Sequence, residues 1–257
     1  MDPIKIELPE VANEALKPLA ASIGNTLSSL WDICFGWVDV SDEKIQHKRL
    51  LKLQAFKESL RNNISEIPEE NLQEPSLSVV GPALEASKYF FEDEEVRSMF
   101  SKLIANSMNR DTASYIQVSF VEIIKQLSPF DAKIITYFKE RSQHAIAKMH
   151  AVNTRGEFLT VHDLLFFYKD LNESNRAKTM VSLTNLQRLG LIEIDFDESF
   201  RDSSFYEIYE NSPLRIVSST PLHIADWSME ESPSELTVFP GIAKLTAYGK
   251  AFIDSCL

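Results

Sequence analysis

Glycine is scarce in this chain, and that scarcity restricts the folds open to it. Only 7 of the 257 residues are glycine, under half of average usage. Phosphate-binding loops and Rossmann turns need glycines at fixed positions, and neither G-x-G-x-x-G nor G-x-x-x-x-G-K-[ST] occurs. These observations exclude the common nucleotide-binding classes. They favour helices that begin on Ser, Thr, Asp or Pro.

Acidic residues outnumber basic residues 38 to 26, which gives a net charge of −12. Phosphates attract lysine and arginine, so this balance argues against nucleic acid as a partner. Cys34 and Cys256 are too few and too far apart in sequence for a disulfide framework or a cysteine-ligated zinc site. We therefore expect no metal and no cofactor. We expect a cytoplasmic protein, with peripheral contact to the inner membrane as an alternative.

An apolar residue recurs at every fourth position over residues 10–37, which predicts a long amphipathic helix. The stripe consists of Val11, Ala15, Leu19, Ile23, Leu27, Trp31 and Phe35. A second face of small residues permits close packing, and its members are Ala20, Gly24 and Ser28. Asp32 is the only charge in the later part of the helix. The helix is therefore either a core or dimer helix, or one that inserts into a membrane.

Residues 43–61 form the one basic segment, with six lysines and arginines against two glutamates. Intermittent apolar positions predict an amphipathic helix, which either lies on an anionic surface or pairs with acidic neighbours. Three prolines then forbid a continuous helix over residues 64–82. We predict an extended connector there, and Pro82 is predicted to open the next helix.

Capping signals predict several helices in the second half of the chain. These signals are Ser119 with Glu122, Ser128 with Pro129, Thr160 with Asp163, and Ser174. Gly190 is predicted to end the last of these helices as a C-cap. Alternating side chains predict strands over 192–197 and 205–209. A final helix is predicted from about residue 246 onward.

Three helices, a strand, a long loop and a strand follow one another in the order of a winged helix. The predicted fold is mainly α, with an N-terminal helical region and a helical domain. A C-terminal winged-helix-like (α+β) domain with an enlarged acidic wing and an added helix follows. The predicted segments are N-terminal helices at 1–63, the connector at 64–82, the helical domain at 83–128 and the winged-helix-like domain at 129–257.

The winged-helix order makes DNA binding a hypothesis to weigh. The recognition helix would offer Arg176, Lys178 and Arg188 to phosphates. However, residues 191–240 carry 11 acidic residues against two arginines, and a wing of that charge repels a duplex. This balance argues against DNA binding. Winged helices also serve as protein-contact modules.

One pair of residues raises the question of RNA cleavage. Arg155 precedes His162 with six residues between them, a spacing similar to the motif of the HEPN ribonucleases. Gly156 interrupts the helix that such a site needs. An RNA-cleaving toxin with Arg155 and His162 as catalytic residues is therefore kept only as an alternative. We assign no other catalytic residue.

A set of segments after residue 64 carries a family likeness. They are 67–69, 74–75, 81–85, 103–108, 119–129 and 186–194, with Leu245, Thr246, Gly249, Phe252 and Cys256 near the end. Together they resemble the bacterial Abi-alpha (abortive infection alpha) family. The resemblance implies defence against phage, in which an infected bacterium stops growing or dies. It implies no active-site residues.

We therefore predict a defence protein that works without catalysis, through protein contacts, as a sensor, adaptor or oligomerising effector. Trp31, Phe35 and Trp37 are the predicted exposed anchors, because aromatic side chains dominate interface hot spots. The expected partner is another protein or a second copy of the chain, with a phage component among the partners considered. The alternatives are a membrane-disrupting effector that uses the N-terminal helix, the RNA-cleaving toxin and a DNA-binding regulator.

Overall fold

The chain divides into two compact units by its contacts. The residues described by the computed structural model are 13–35, 43–90, 92–216 and 235–257, with the backbone alone over 43–50. Unit 1 comprises Met1–Thr136 and Lys250–Leu257, and unit 2 comprises Tyr137–Gly249. Trp37, one of the predicted anchors, lies outside the described residues.

Unit 1 is built from helices. They are α1 (Lys17–Phe35), α2 (Glu43–Ser65), α3 (Leu77–Phe90), α4 (Glu94–Asn106), α5 (Arg110–Ala113), α6 (Ser119–Gln126) and parts of α7 (Pro129–Glu140) and α10 (Ala247–Cys256). α1 packs on α3, α2 packs on α4, and both α3 and α4 pack on α6. The ring of Phe252 in α10 lies 5.5 Å from that of Phe120 in α6. The predicted N-terminal helices and helical domain therefore share one core.

The periodic stripe of α1 faces that core. Ile23, Leu27 and Trp31 are fully buried, as the spacing of four residues requires when one side of a helix packs against its neighbours. This burial agrees with the interpretation of α1 as a core helix.

The connector is shorter than the sequence predicted. α3 begins at Leu77, so Pro82 lies inside the helix and does not open it. The backbone N–H groups of Val79 and Val80 already donate to the Ser76 carbonyl, at 3.0 and 2.9 Å. Pro82 removes one helical hydrogen bond, but the side chains of Val79 and Val80 are buried. Their burial in the core offsets the loss of that hydrogen bond.

In the described part of unit 2, four strands form one antiparallel sheet. They are β1 (Gln143–Val152), β2 (Phe158–Leu165), β3 (Ile192–Asp195) and β4 (Thr237–Leu245). Their order is β2-β1-β4-β3, so β2 and β3 are the edge strands. α8 (Arg176–Arg188) contacts both edge strands, and α9 (Glu207–Glu210) lies in the connection between β3 and β4.

The described part of that connection covers one face of the sheet. Ala147 and Met149 of β1 pack in a buried cluster with Tyr206 and Tyr209. The Tyr209 hydroxyl donates to the Ala145 carbonyl at 2.7 Å. Side chains alternate along a strand, so the even-numbered residues of β1 point to the other face.

Three elements of unit 2 were predicted incorrectly or missed. β1 was not predicted at all, and the helix predicted from Thr160 is part of β2. Thr160 and Asp163 match a helix-capping signal, but the segment that contains them pairs with β1 instead of forming a helix. The turn at Gly156 makes this pairing possible. Residues 205–209 form helical turns rather than a strand, because that geometry brings Tyr206 and Tyr209 into one core. The predicted succession of three helices is therefore not observed.

Other predicted boundaries are confirmed. At the start of α7, Ser128 Oγ accepts from the Asp131 N–H at 3.1 Å, and the Asp131 carboxylate accepts from the Ser128 N–H at 2.8 Å. α8 ends just before Gly190, whose φ is +74°. β3 begins at Ile192, inside the predicted strand.

Candidate interaction surface

The turn between β1 and β2 sets the register of the strands that carry this surface. Asn153 Oδ1 accepts from the backbone N–H groups of Arg155 at 3.0 Å and Glu157 at 2.9 Å. Gly156 has a left-handed backbone with φ of +80°, which glycine adopts without strain. Residues 150–152 then pair with residues 158–160. The pairing places His150 beside the first residues of β2.

Three aromatic rings, which we call the ring row, cross β2, β1 and β4 on the face opposite the Tyr209 cluster. They are Phe158, His150 and Phe239. The His150 ring lies 4.7 Å and 11° from Phe158, and 5.2 Å and 4° from Phe239. His150 is buried, whereas Phe158 and Phe239 are 63% and 47% exposed. Neighbouring exposed aromatic side chains of this kind are typical of contact surfaces.

Phe196, directly after β3, extends this aromatic face. A Cβ at Gly241 would lie 2.5 Å from Phe196 Cδ1, so the lack of a side chain at Gly241 lets the ring approach β4. Lys148 Nζ lies 3.9 Å from the centroid of the Phe196 ring, which is a cation–π distance. The face thus combines aromatic rings with a cation.

The outer side of α8 adds further cations and apolar side chains. Its exposed residues include Arg176, Lys178, Met180, Val181 and Arg188. α8 contains three basic residues and no acidic residue. Arg176 is close enough to His162 of β2 to lower the pKa of that imidazole, after the larger effect of burial. We call the ring row, Lys148, Phe196 and the outer side of α8 the interaction surface.

Three acidic residues near the sheet lie on the face opposite the ring row. Lys244 Nζ is 3.7, 3.5 and 3.4 Å from the carboxylates of Glu193, Asp195 and Glu198. Lys244 and Phe239 both belong to β4 and are separated by five positions, so they point to opposite faces. The acidic residues held by Lys244 are therefore remote from the ring row.

Other acidic groups of the β3–β4 connection also have intramolecular partners. Arg215 binds the carboxylates of Glu210 at 2.9 Å and Glu235 at 3.2 Å. The charge of Asp163 raises the pKa of His150, against the larger effect of burial, which lowers that pKa. Among the described residues of the connection, Glu198, Glu210 and Glu235 are thus held by Lys244 or Arg215.

Burial lowers the pKa of three histidines in unit 2: His144, His150 and His162. A nearby cation lowers each pKa further, Arg141 for His144 and Lys148 for His150. The His144 ring is surrounded by aromatic side chains, the nearest being Tyr168 at 4.5 Å between centroids. Burial in low dielectric disfavours the charged imidazolium, so the folded state favours neutral histidine.

This preference predicts that stability falls on mild acidification. In the unfolded chain these histidines have a pKa near 6.5, so they bind protons more readily than in the folded state, where the pKa is lower. Their contribution to stability is present above pH 6.5 and is lost as the pH falls below 6.5 toward the lowered folded pKa values. We expect the urea midpoint to fall between pH 7 and about pH 5, a window above the titration of ordinary Asp and Glu. The variant His144→Gln should show a flatter dependence, and an equally steep one would contradict the assignment to His144.

The structure does not assemble the predicted ribonuclease pair. Arg155 lies in the β1–β2 turn and His162 in β2. Four residues of extended strand between Phe158 and His162 already span about 13 Å. The helix that a HEPN-type site requires is not formed over these residues. Instead, His162 lies near Arg176, one of the three cations predicted for nucleic-acid contact.

The predicted exposure of Trp31 and Phe35 is wrong. Trp31 is 1% exposed and Phe35 is buried. Their ring centroids lie 5.6 and 6.4 Å from that of Phe56 in α2. They occupy the stripe of α1 that faces the core, because α2 and α3 pack against this side of the helix. The exposed rings of the ring row were missed.

Neither a membrane span nor a metal centre is found in the described part of the chain. No helix among these residues is both long and apolar enough to cross a bilayer. They also contain no group of three or more His, Cys, Asp or Glu side chains placed to hold a metal ion.

These features define a mainly helical protein with a four-stranded antiparallel sheet in its second unit. The chain belongs to the abortive infection alpha family, whose family model matches residues 48–256. No curated protein and no solved structure matches the chain.

Proposed function

We propose that this protein defends a bacterium against phage by abortive infection, through binding contacts at the interaction surface rather than through catalysis. Its family supports the defence role. The observation that carries the mechanism is the exposure of Phe158 and Phe239 in a row of rings beside Lys148. Aromatic residues are enriched in the surfaces that partners cover. The protein then acts as a sensor, an adaptor or an oligomerising effector.

We also propose that unit 2 is related to the winged-helix fold by the order of its elements. α8, β3, the connection at 196–236 and β4 follow one another in the order of recognition helix, strand, wing and strand. In such a protein the recognition helix meets the partner, which agrees with the exposed cations of α8. The acidic residues of the described part of the connection then belong to an enlarged wing.

Bacteria that produce the double variant Phe158→Ala/Phe239→Ala are expected to lose protection against phage. The substitutions remove two exposed rings and leave the buried cluster on the other face of the sheet intact, so the protein should still fold. The measurement is the efficiency of plating of a phage that the wild-type protein restricts. We expect plating to return to the value of cells without the protein.

The matched control is Tyr115→Ala, which removes an aromatic side chain that is similarly exposed but lies in unit 1. This variant should protect as well as the wild type. Full protection by the double variant at wild-type protein levels would contradict the proposal. So would release of dye from anionic liposomes by the wild type and the double variant alike, which would instead favour a membrane effect.

A further inference from the structure

We infer that the interaction surface binds single-stranded nucleic acid, and this inference rests on the proposed function of that surface. Two sets of side chains lead to it: the ring row for bases and the cations of α8 and β1 for phosphates. Proteins that bind single strands without sequence preference combine these two kinds of contact.

Phe158 offers a base a place to stack. It belongs to the edge strand β2, and His150 lies against one face of its ring. Because the two rings are nearly parallel, the other face of Phe158 is directed beyond the edge of the sheet. A base stacked on this outer face of Phe158 adds one more parallel ring to the ring row. Phe239, at the other end of the row, is also partly exposed.

The cations are placed to contact the backbone of the same strand. Lys148 precedes His150 by two residues on β1 and therefore points to the same face. α8 contacts β2, the strand that carries Phe158, and the charge of Arg176 at the start of α8 acts on His162 of the same strand. From Arg176 to Arg188, α8 extends about 18 Å. Several phosphates of an extended strand fit along this length.

The net charge of −12 argues against binding to phosphates, but the charge near α8 differs from that of the whole chain. α8 has three basic residues and no acidic one, while Glu193, Asp195 and Glu198 surround Lys244 on the other face of the sheet. A phosphate backbone laid along α8 therefore meets cations. Bases of a duplex stack on one another, so their faces are closed to Phe158.

The test is fluorescence anisotropy with the full chain and labelled oligothymidylate or oligouridylate of about 12 nucleotides. We expect binding at about 50 mM salt, with weaker binding of a duplex of the same length. The logarithm of the association constant should fall with the logarithm of salt concentration with a slope of about −3, as phosphate contacts by Lys148 and the three cations of α8 predict. The two labelled strands distinguish DNA from RNA as the natural ligand.

Two double variants separate stacking from charge. Phe158→Ala/Phe239→Ala should weaken binding about tenfold or more without changing the salt slope, because stacking releases no counterions. Lys178→Ala/Arg188→Ala should reduce the slope by about 1.4, because it removes two phosphate contacts. Tyr115→Ala should leave both quantities unchanged, and circular dichroism should show that all variants are folded.

Absence of binding to either strand at low salt would overturn the inference. It would also be overturned if poly-glutamate competed as well as the oligonucleotides and the ring variant bound normally, which would indicate an acidic protein partner. Loss of phage protection in the ring variant without any oligonucleotide binding would leave the proposed function standing and reject this ligand. Oligonucleotide binding with full protection by the ring variant would reject the proposed function of the surface.

Discussion

Replacing Gly249 with alanine is expected to lower the free energy of unfolding by about 3 kcal/mol or more, through overpacking. An added Cβ would lie 1.9 Å from the Leu191 carbonyl oxygen and 2.8 Å from its carbon. Both atoms belong to the backbone, so no flexible side chain can move aside. Thr246 fixes this contact, because its hydroxyl donates to the Gly190 carbonyl at 2.6 Å and accepts from the Gly249 N–H at 2.8 Å.

Gly81→Ala is the matched control for this prediction. Gly81 also lies inside a helix, but no atom lies within 4 Å of an added Cβ there. Alanine is the better helix former, so Gly81→Ala should stabilise the protein by about 0.5–1 kcal/mol. Urea unfolding followed by circular dichroism measures both variants. A Gly249→Ala midpoint at or above that of the wild type would show that α10 does not approach Leu191 as described.

The helices of unit 1 could be predicted because each carries its own local signal. The stripe of α1 and the start of α7 at Ser128 are repeated or short-range patterns, and packing did not override them. Pro82 was misplaced because its local preference for a first turn competes with the burial of Val79 and Val80. The preference of proline for the first turn of a helix carries no information about which side chains the core buries.

The β1–β2 hairpin could not be predicted in the same way. Ile146 on one face of β1 and Ala147 and Met149 on the other are all buried, so this part of the strand lacks the alternation that marks a half-buried strand. The capping signal at Thr160 was a valid local signal that strand pairing outweighed. Gly156 was noticed as a helix breaker, but its role as a turn depends on the strands that it joins.

The candidate site was predictable only in part. The exposure of Arg176, Lys178 and Arg188 follows from the periodicity of one helix. The ring row depends on strand pairing that brings Phe158 and Phe239 to either side of His150, and no local pattern contains this. A summed wing charge also could not show that Lys244 and Arg215 hold several of the acidic residues.

Trp31→Ala is expected to destabilise the protein by about 3–5 kcal/mol, the usual cost of removing a large aromatic side chain from a core. The Trp31 ring lies 4.5 Å from Phe35 and 5.6 Å from Phe56 between centroids. Its truncation leaves a cavity that these rings only partly fill. The urea midpoint and the thermal unfolding temperature should both fall.

Two further variants decide whether Trp31 is a core residue or the interface anchor that the sequence predicted. Its indole N–H is buried with no hydrogen-bond partner among the described residues, and an unpaired buried donor costs about 1–3 kcal/mol. Trp31→Phe removes that donor and keeps most of the ring contact, so it should cost far less than Trp31→Ala. Ile33→Ala, on the exposed side of the same helix, should change stability by less than about 0.5 kcal/mol. A Trp31→Ala variant with wild-type stability and no phage protection would restore the anchor hypothesis, because a large core residue cannot be truncated without a loss of stability.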